Sequence, residues 1–339
     1  MTTPHDTRLA TLTNWAKQIL GTDRLSIAPA SADASFRRYF RITRDDAASR
    51  ETFIAMDAPP DKEDVRPFLH VSSLLQAAGV HVPRVVAEDV AGGYLLLSDL
   101  GTQTFLDVLN EANANELFDA AIDALIKWQL ASQPGVLPPC DEALLRRELS
   151  LFPDWYMARH LQVELNDAQQ ATLQRMFDLI VKTNLAQPRV YVHRDYMPRN
   201  LMISTPNPGV LDFQDAVYGP ITYDVASLFR DAFISWPEAN VIDWAARYWE
   251  RARHAGLPVH EDFGAFYRDM EWMGLQRHLK VLGIFARINY RDGKPKYLAD
   301  TPRFINYVRQ VGQRYDDLRP LLRLLDELEG RRQQVGYTF

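Results

Sequence analysis

The chain has 339 residues, 47% of them hydrophobic, which is enough to bury a large core and argues for two lobes or domains. Its net charge of −6 argues against general binding of nucleic acid or of anionic membranes. The one cysteine, Cys140, has no partner for an internal disulfide, residues 1–20 lack the unbroken apolar core of a secretory signal, and no apolar run of about 18 residues is present, so the expectation is a cytoplasmic protein.

Leu9, Leu12, Trp15, Ala16 and Ile19 recur at helical spacing, so the chain opens on an amphipathic helix. From 26 to 100 the character is strand-rich. Segments 36–42, 52–56, 84–89 and 93–98 read as strands, with a helix at 65–78 between the second and third. Beyond Gly101 the pattern turns helical at 113–131, 141–161 and 167–186, where Asn166 and Asp167 are capping residues. The segment VYVHRDYMPRNLMISTPNPGVLDFQ (190–214) reads as strand, loop, strand, turn, strand, with Pro206, Asn207, Pro208 and Gly209 as the turn. Helices resume at 223–233, 237–255, 260–290 and 302–325.

Within 190–214, HRD followed five residues later by Asn200, and then Asp212 with Phe213, resembles the catalytic arrangement of the protein-kinase-like phosphotransferases. In that chemistry one carboxylate orients the acceptor hydroxyl, while an amide and a second carboxylate hold Mg²⁺ against the phosphates of ATP. The resemblance makes Asp195 the catalytic carboxylate, which accepts or orients the proton of the attacking hydroxyl, and Asn200 and Asp212 the metal ligands. It makes His193 a support of the loop, and Asp224, on the helix that follows, its brace. Gln214 stands where a protein kinase has glycine, so a constitutively assembled site is expected.

Together with GPITYDVASL (219–228), this block resembles the aminoglycoside phosphotransferase and choline kinase group. The resemblance implies an α+β, bilobal, protein-kinase-like fold. Residues 1–100 would be a small lobe with an N-terminal helix, a five-stranded sheet and one further helix. Residues 101–339 would be a helical lobe, with the nucleotide between the two at a hinge near 100–102. The segments SADASFRRYFR (31–41), MDAPP (56–60) and DLGTQT (99–104) resemble more closely the anomeric sugar kinases of bacterial cell-wall recycling. Those enzymes phosphorylate N-acetylmuramate and N-acetylglucosamine at C1, which implies an amino-sugar acceptor.

The small lobe departs from the kinase pattern. The stretch 31–35 sits where kinases carry a glycine-rich phosphate loop and holds no glycine. Ser31 and Ser35 are its candidate phosphate contacts, and an ordinary turn is the alternative. Met56 falls where the strand lysine is expected, and the next helix has no acid to match one. A substitute cation is therefore sought among Arg37, Arg38 and Arg41. Arg38 is preferred because it alternates in phase with Phe36, Phe40 and Ile42, the face expected to roof the nucleotide. Backbone groups from Leu97 to Asp99 are the expected adenine contacts.

For the acceptor, 274–297 carries Arg277, Lys280, Arg287, Arg291, Lys294 and Lys296 against one acid, Asp292. Arg199 lies inside the catalytic loop, with Tyr196 beside it as a second candidate substrate contact. A positive neighbourhood suits a neutral or anionic acceptor better than a cationic one. Two rivals stay open: a kinase of another small molecule on this fold, and a catalytically dead binding module whose only support is Met56.

Overall fold

The computed structural model describes residues 6–31, 36–46 and 49–335. In chain order the elements begin α1 (Thr7–Leu20), β1 (Leu25–Ser31), β2 (Arg38–Asp46), β3 (Ser49–Asp57), α2 (Arg66–Ala77), β4 (Val85–Asp89), β5 (Tyr94–Ser98) and α3 (Phe105–Val108). They continue with α4 (Ala114–Leu130), α5 (Glu142–Leu151), α6 (Asp167–Leu185), β6 (Arg189–Val192), β7 (Leu201–Met202), β8 (Gly209–Val210) and β9 (Val217–Pro220). The last are α7 (Tyr223–Phe229), α8 (Glu238–His254), α9 (Phe263–Asp292), α10 (Thr301–Arg314) and α11 (Arg319–Val335). They divide into two units: Met1–Val108 with Arg199–Asp215, and Leu109–Pro198 with Ala216–Phe339. A linear cut near residue 100 would separate β7 and β8 from the sheet-bearing unit to which they belong.

The first unit is built on one antiparallel sheet of order β1-β2-β3-β5-β4. Phe40 faces Ala55 across β2–β3, and Ala55 faces Leu96 across β3–β5, so these three share a face. That face is packed by Leu12 and Ala16 of α1, together with Ile42, Phe53 and Tyr94. The α1 helix starts at Asp6, which accepts the Leu9 N–H at 3.0 Å, and stops at Gly21, where φ is 64°. Buried Asp57 fastens the helix to the sheet, because Arg8 of α1 and Arg38 of β2 each donate Nε to it at 2.9 Å. On the other face Met56, Leu95 and Leu97 are buried. The β7–β8 hairpin joins this unit at several points. Val210 N–H donates to the His81 carbonyl at 2.7 Å, Ile203 N–H donates to Gln103 at 2.9 Å, and Phe213 packs 4.7 Å from Phe68 of α2.

The second unit is helical around α9, which is buried along much of its length and packs against α5, α6, α7 and α10. Its small sheet pairs β6 with β9. Three local breaks differ from the sequence pattern. The helix expected over 141–161 is α-helical only to Leu151 and continues as a π-helix over Phe152–Leu161, where Pro153 supplies no N–H to the ladder. The helix expected over 302–325 is two helices, because Pro320 cannot donate in mid-helix and instead falls in the first turn of α11. The helix expected over 223–233 stops at Phe229: Asp231 captures the Phe233 and Ile234 N–H groups, an Asx turn that competes with the helix. Among the described residues no helix is long and apolar enough to cross a membrane.

Candidate active site

The loop bearing Asp195 leaves the end of β6. β6 runs against β9, with Arg189 opposite Pro220 and Val192 opposite Val217. The β9 strand, absent from the sequence reading, is held in turn by Cys140, whose N–H donates to the Tyr218 carbonyl at 2.8 Å. Gly219 permits that approach, since a Cβ there would lie 2.5 Å from Cβ of Cys140. Fixing β9 fixes the start of α7, which carries Asp224 to the end of β6. The Asp224 carboxylate accepts the N–H of His193 at 2.7 Å and of Arg194 at 2.9 Å. Two main-chain donors on one buried acid set the course of the loop, and Arg194 takes a φ of 77° at the bend. Burial pushes the Asp224 carboxyl up to about 6, against the pull of His193 and those two N–H groups.

Asp195 itself is half-buried, and its N–H donates to His193 Nδ1 at 3.3 Å. Nδ1 is thus an acceptor inside the loop, and His193 is buried. The geometry gives His193 a holding role rather than a place as general base. Arg194 turns the other way, donating Nη2 to Glu148 at 2.7 Å, and Lys280 Nζ reaches the same oxygen at 2.8 Å. Tyr223 hydroxyl also donates to Glu148, at 3.2 Å. The loop is therefore anchored to α5 and α9 through one buried carboxylate.

Burial works to raise the Glu148 carboxyl, but Lys280 and Arg194 overcome it and hold it at about 2, against an ordinary 4.5. A depressed carboxyl pKa stabilises the fold above the unfolded value, and that contribution is lost as pH falls from 4.5 toward 2. Glu148→Gln should cost about 3–5 kcal/mol at neutral pH by stranding buried Lys280 and half-buried Arg194. It should also flatten the acid limb of stability against pH; denaturant melts of both proteins across that range check both effects.

The second group of candidates sits on the β7–β8 hairpin. Leu201 pairs with Val210, and Leu211 N–H donates to the Asn200 carbonyl at 2.9 Å, so Asn200 and Asp212 flank the same ladder end. Asn200 Nδ2 lies 3.4 Å from Asp212 Oδ2, and a half-turn of the amide presents Oδ1 instead. Gln214 Nε2 donates to Asp212 Oδ1 at 2.9 Å, while Gln214 Oε1 is buried with no hydrogen-bond partner among the described residues. An amide oxygen, a carboxylate and a second, orphaned amide oxygen form a hard-oxygen donor set that fits Mg²⁺. The sequence reading gave Gln214 no ligand role. Asp212 takes a φ of 63°, which aims its side chain back at Asn200.

The geometry resembles that of known proteins. A family model described as "Phosphotransferase enzyme family" matches residues 26–263. The chain belongs to the phosphotransferase enzyme family. A relative from Pseudomonas putida strain KT2440, named N-acetylmuramate/N-acetylglucosamine kinase, is 53% identical over 335 residues, covering 96% of this chain and 98% of that protein. One of the same name from Pseudomonas aeruginosa strain PAO1 is 58% identical over 302 residues, covering 89% of this chain and 88% of that protein. Among solved structures, a Plasmodium vivax ethanolamine kinase aligns with TM-score 0.64 at 10% identity, over 89% of this chain and 87% of that one. ADP-bound aminoglycoside phosphotransferase APH(2'')-Ib aligns with TM-score 0.59 at 11% identity, over 89% of this chain and 98% of that one. The protein is a phosphotransferase with an α+β, protein-kinase-like fold.

Several candidates fall elsewhere in this phosphotransferase than the sequence placed them. Arg38 does share a face with Phe40 and Ile42, but α1 covers that face, and the guanidinium is taken up by Asp57 and Asp6. It is an anchor of the N-terminal helix, not a nucleotide roof. Arg41, on the opposite face, donates to Asp99 at 2.6 Å and to the Gly101 carbonyl at 2.6 Å, bracing the connector after β5. Arg37 Nε lies 4.0 Å from Glu63. Leu97 is inside the sheet, paired with Ile54 of β3 and Val85 of β4, so its main chain belongs to the ladder; the connector begins beyond it.

Tyr196 is buried and donates its hydroxyl to the Ala121 carbonyl at 2.8 Å, which makes it core and removes it from the substrate contacts. Arg199 sits in the single 3₁₀ turn Pro198–Asn200. Ser31 ends β1, and Ser35 lies outside the described residues. The cationic stretch 274–297 is partly interior, since Arg277 and Lys280 are buried and Lys280 is matched by Glu148. Trp244 and Trp272 are fully buried core residues.

Proposed function

We propose that this phosphotransferase moves the γ-phosphoryl group of ATP to the anomeric hydroxyl of N-acetylmuramate and N-acetylglucosamine, in the recycling of cell-wall peptidoglycan. What carries the reading is the name shared by relatives at 53% and 58% identity, one of them matched over nearly its whole length and the other over 88% of it. The site chemistry supports it. Asp195, presented by a loop with little freedom to move, accepts a hydrogen bond from the C1 hydroxyl and orients its oxygen toward phosphorus. As the new O–P bond forms, the bond to the bridging oxygen of ADP breaks, and the hydroxyl proton passes to the Asp195 carboxylate and on to water. Phosphoryl transfer has a loose transition state, so positioning and electrostatics matter more than base strength.

Asn200 and Asp212 would hold Mg²⁺, with Gln214 Oε1 toward the ion or its water. The ion when bound neutralises charge on the phosphates. The main chain of Asp99 is assigned to adenine, Ser31 and Ser35 to phosphate, and Arg199 to phosphate or acceptor. ATP as donor places the reaction in the cytoplasm.

Turnover with N-acetylmuramate, N-acetylglucosamine, choline and kanamycin, compared side by side, tests the assignment. The expected result is ADP release with the two acetamido sugars only, and an acid-labile sugar 1-phosphate as product. Turnover of choline or kanamycin alone, or a product phosphorylated at another hydroxyl, would refute it. Silence with all four would favour a binding module.

A further inference from the structure

The second unit contains a buried pair of opposite charges held out of contact. Asp231, in the turn after α7, is 1% exposed. Its Oδ1 accepts the Phe233 N–H at 2.7 Å and the Ile234 N–H at 3.0 Å, whereas Oδ2 has no hydrogen-bond partner among the described residues. Arg277 of α9 is 5% exposed and makes no hydrogen bond or ion pair with any described residue. Its guanidinium lies 5.7 Å over the Tyr223 ring.

The two residues are brought near each other by the packing of α7 on α9. A Cβ at Gly274 would lie 4.0 Å from that of Ala226, and His278 Nε2 lies 3.4 Å from the Arg230 carbonyl. Arg277 is close enough for its charge to oppose the rise that burial imposes on the Asp231 carboxyl. Yet the two side chains form no ion pair.

An orphaned buried polar atom costs roughly 1–3 kcal/mol, and more when charged. Two beside each other, of opposite sign and apart, suit a guest with a donor on one edge and an acceptor on the other. A carboxylate would be repelled by Asp231, and an ammonium by Arg277. A secondary amide fits both, because its N–H and C=O point in opposite directions across one plane.

We infer that Asp231 and Arg277 bind the acetamido group of the acceptor sugar, Asp231 Oδ2 accepting its N–H and Arg277 donating to its C=O. The inference rests on the amino-sugar reading above, and it explains how one site takes both sugars, since the acetamido group is what they share. Both residues lie in the unit that carries Asp195: Asp231 follows the helix that braces the catalytic loop, and Arg277 precedes by one turn of α9 the Lys280 that pairs with Glu148. The acid was visible in the sequence as a lone carboxylate within VASLFRDAFISW (225–236).

The test compares kcat/KM for N-acetylglucosamine, N-acetylmuramate, glucosamine and glucose, using ATP and Mg²⁺, in the wild type, Arg277→Met, Arg277→Lys and Asp231→Asn. Hydrogen bonds to charged groups imply that the wild type prefers N-acetylglucosamine over glucose by roughly 100-fold or more. In Arg277→Met and Asp231→Asn that preference should fall by about 10- to 30-fold each, the loss for glucose being smaller. Arg277→Lys, which keeps the charge, should retain part of it and guards against a misfolded Met variant.

A pair that is only structural would lower the melting temperature and leave the ratio where it was, and that result overturns the inference. So does a wild type that uses glucose as well as N-acetylglucosamine, whatever the variants do. If no sugar is turned over at all, the amino-sugar reading fails first and the acetamido site with it. Turnover with undisturbed discrimination sinks only the site.

Discussion

Asp195→Asn should lower kcat by roughly 10³-fold, the usual range for loss of a positioned proton acceptor. Asparagine keeps the volume of the side chain, and the two N–H bonds to Asp224 and the Asp195 N–H on His193 do not use the Asp195 carboxylate. The variant should therefore fold normally and bind ATP with an affinity within about two- to threefold of the wild type. Steady-state kinetics with a parallel nucleotide titration separates the two quantities. A loss below about tenfold would mean that another group orients the hydroxyl, and the role of Asp195 would have to be abandoned.

The next largest effect is expected at Asp212. Asp212→Asn removes the one charged oxygen of the proposed metal set and should reduce kcat/KM by about 10²- to 10³-fold. Asparagine is suited to the test because it tolerates the left-handed backbone, and Asp212 has φ of 63°. An alanine there would add backbone strain and confuse the result. The diagnostic measurement is the coupling between ion and nucleotide. Mg²⁺ should tighten ATP binding to the wild type and have little effect on the variant, as read by calorimetry without turnover. Equal tightening in both proteins would remove Asp212 from the metal site. Gln214, which donates to the same carboxylate, should show a weaker form of the same defect.

These residues were legible in the chain because they are close together in it. Asp195, Asn200 and Asp212 fall within 18 residues, and a hairpin of two short strands is a local object that turn residues and alternation specify. Asp224 was legible for the same reason, one short strand further on. The helices were readable from their apolar spacing, and α1, α4 and α6 fall within a few residues of the expected ranges.

The failures have one physical cause. Alternation along β2 correctly put Arg38 beside Phe40 and Ile42, but it cannot say what covers that face. Leu12 and Ala16, from a helix more than twenty residues earlier, decide it. The partner of β6 was likewise hidden, since β9 is four residues long, contains Gly219 and Pro220, and owes its position to Cys140 from a distant loop.

By itself, then, the amino-acid order determined the element types, the small hairpin with its acid, amide and acid, and the kinship to phosphotransferases, all of which depend on neighbours in the chain. Only the folded molecule decided that Arg38 clamps α1, that Tyr196 is core, and that Glu148 pairs with Arg194 and with Lys280, the latter 132 residues away. Each of those outcomes is set by which surfaces bury one another, and burial of apolar faces between distant segments is non-directional, so no local pattern records the pairing.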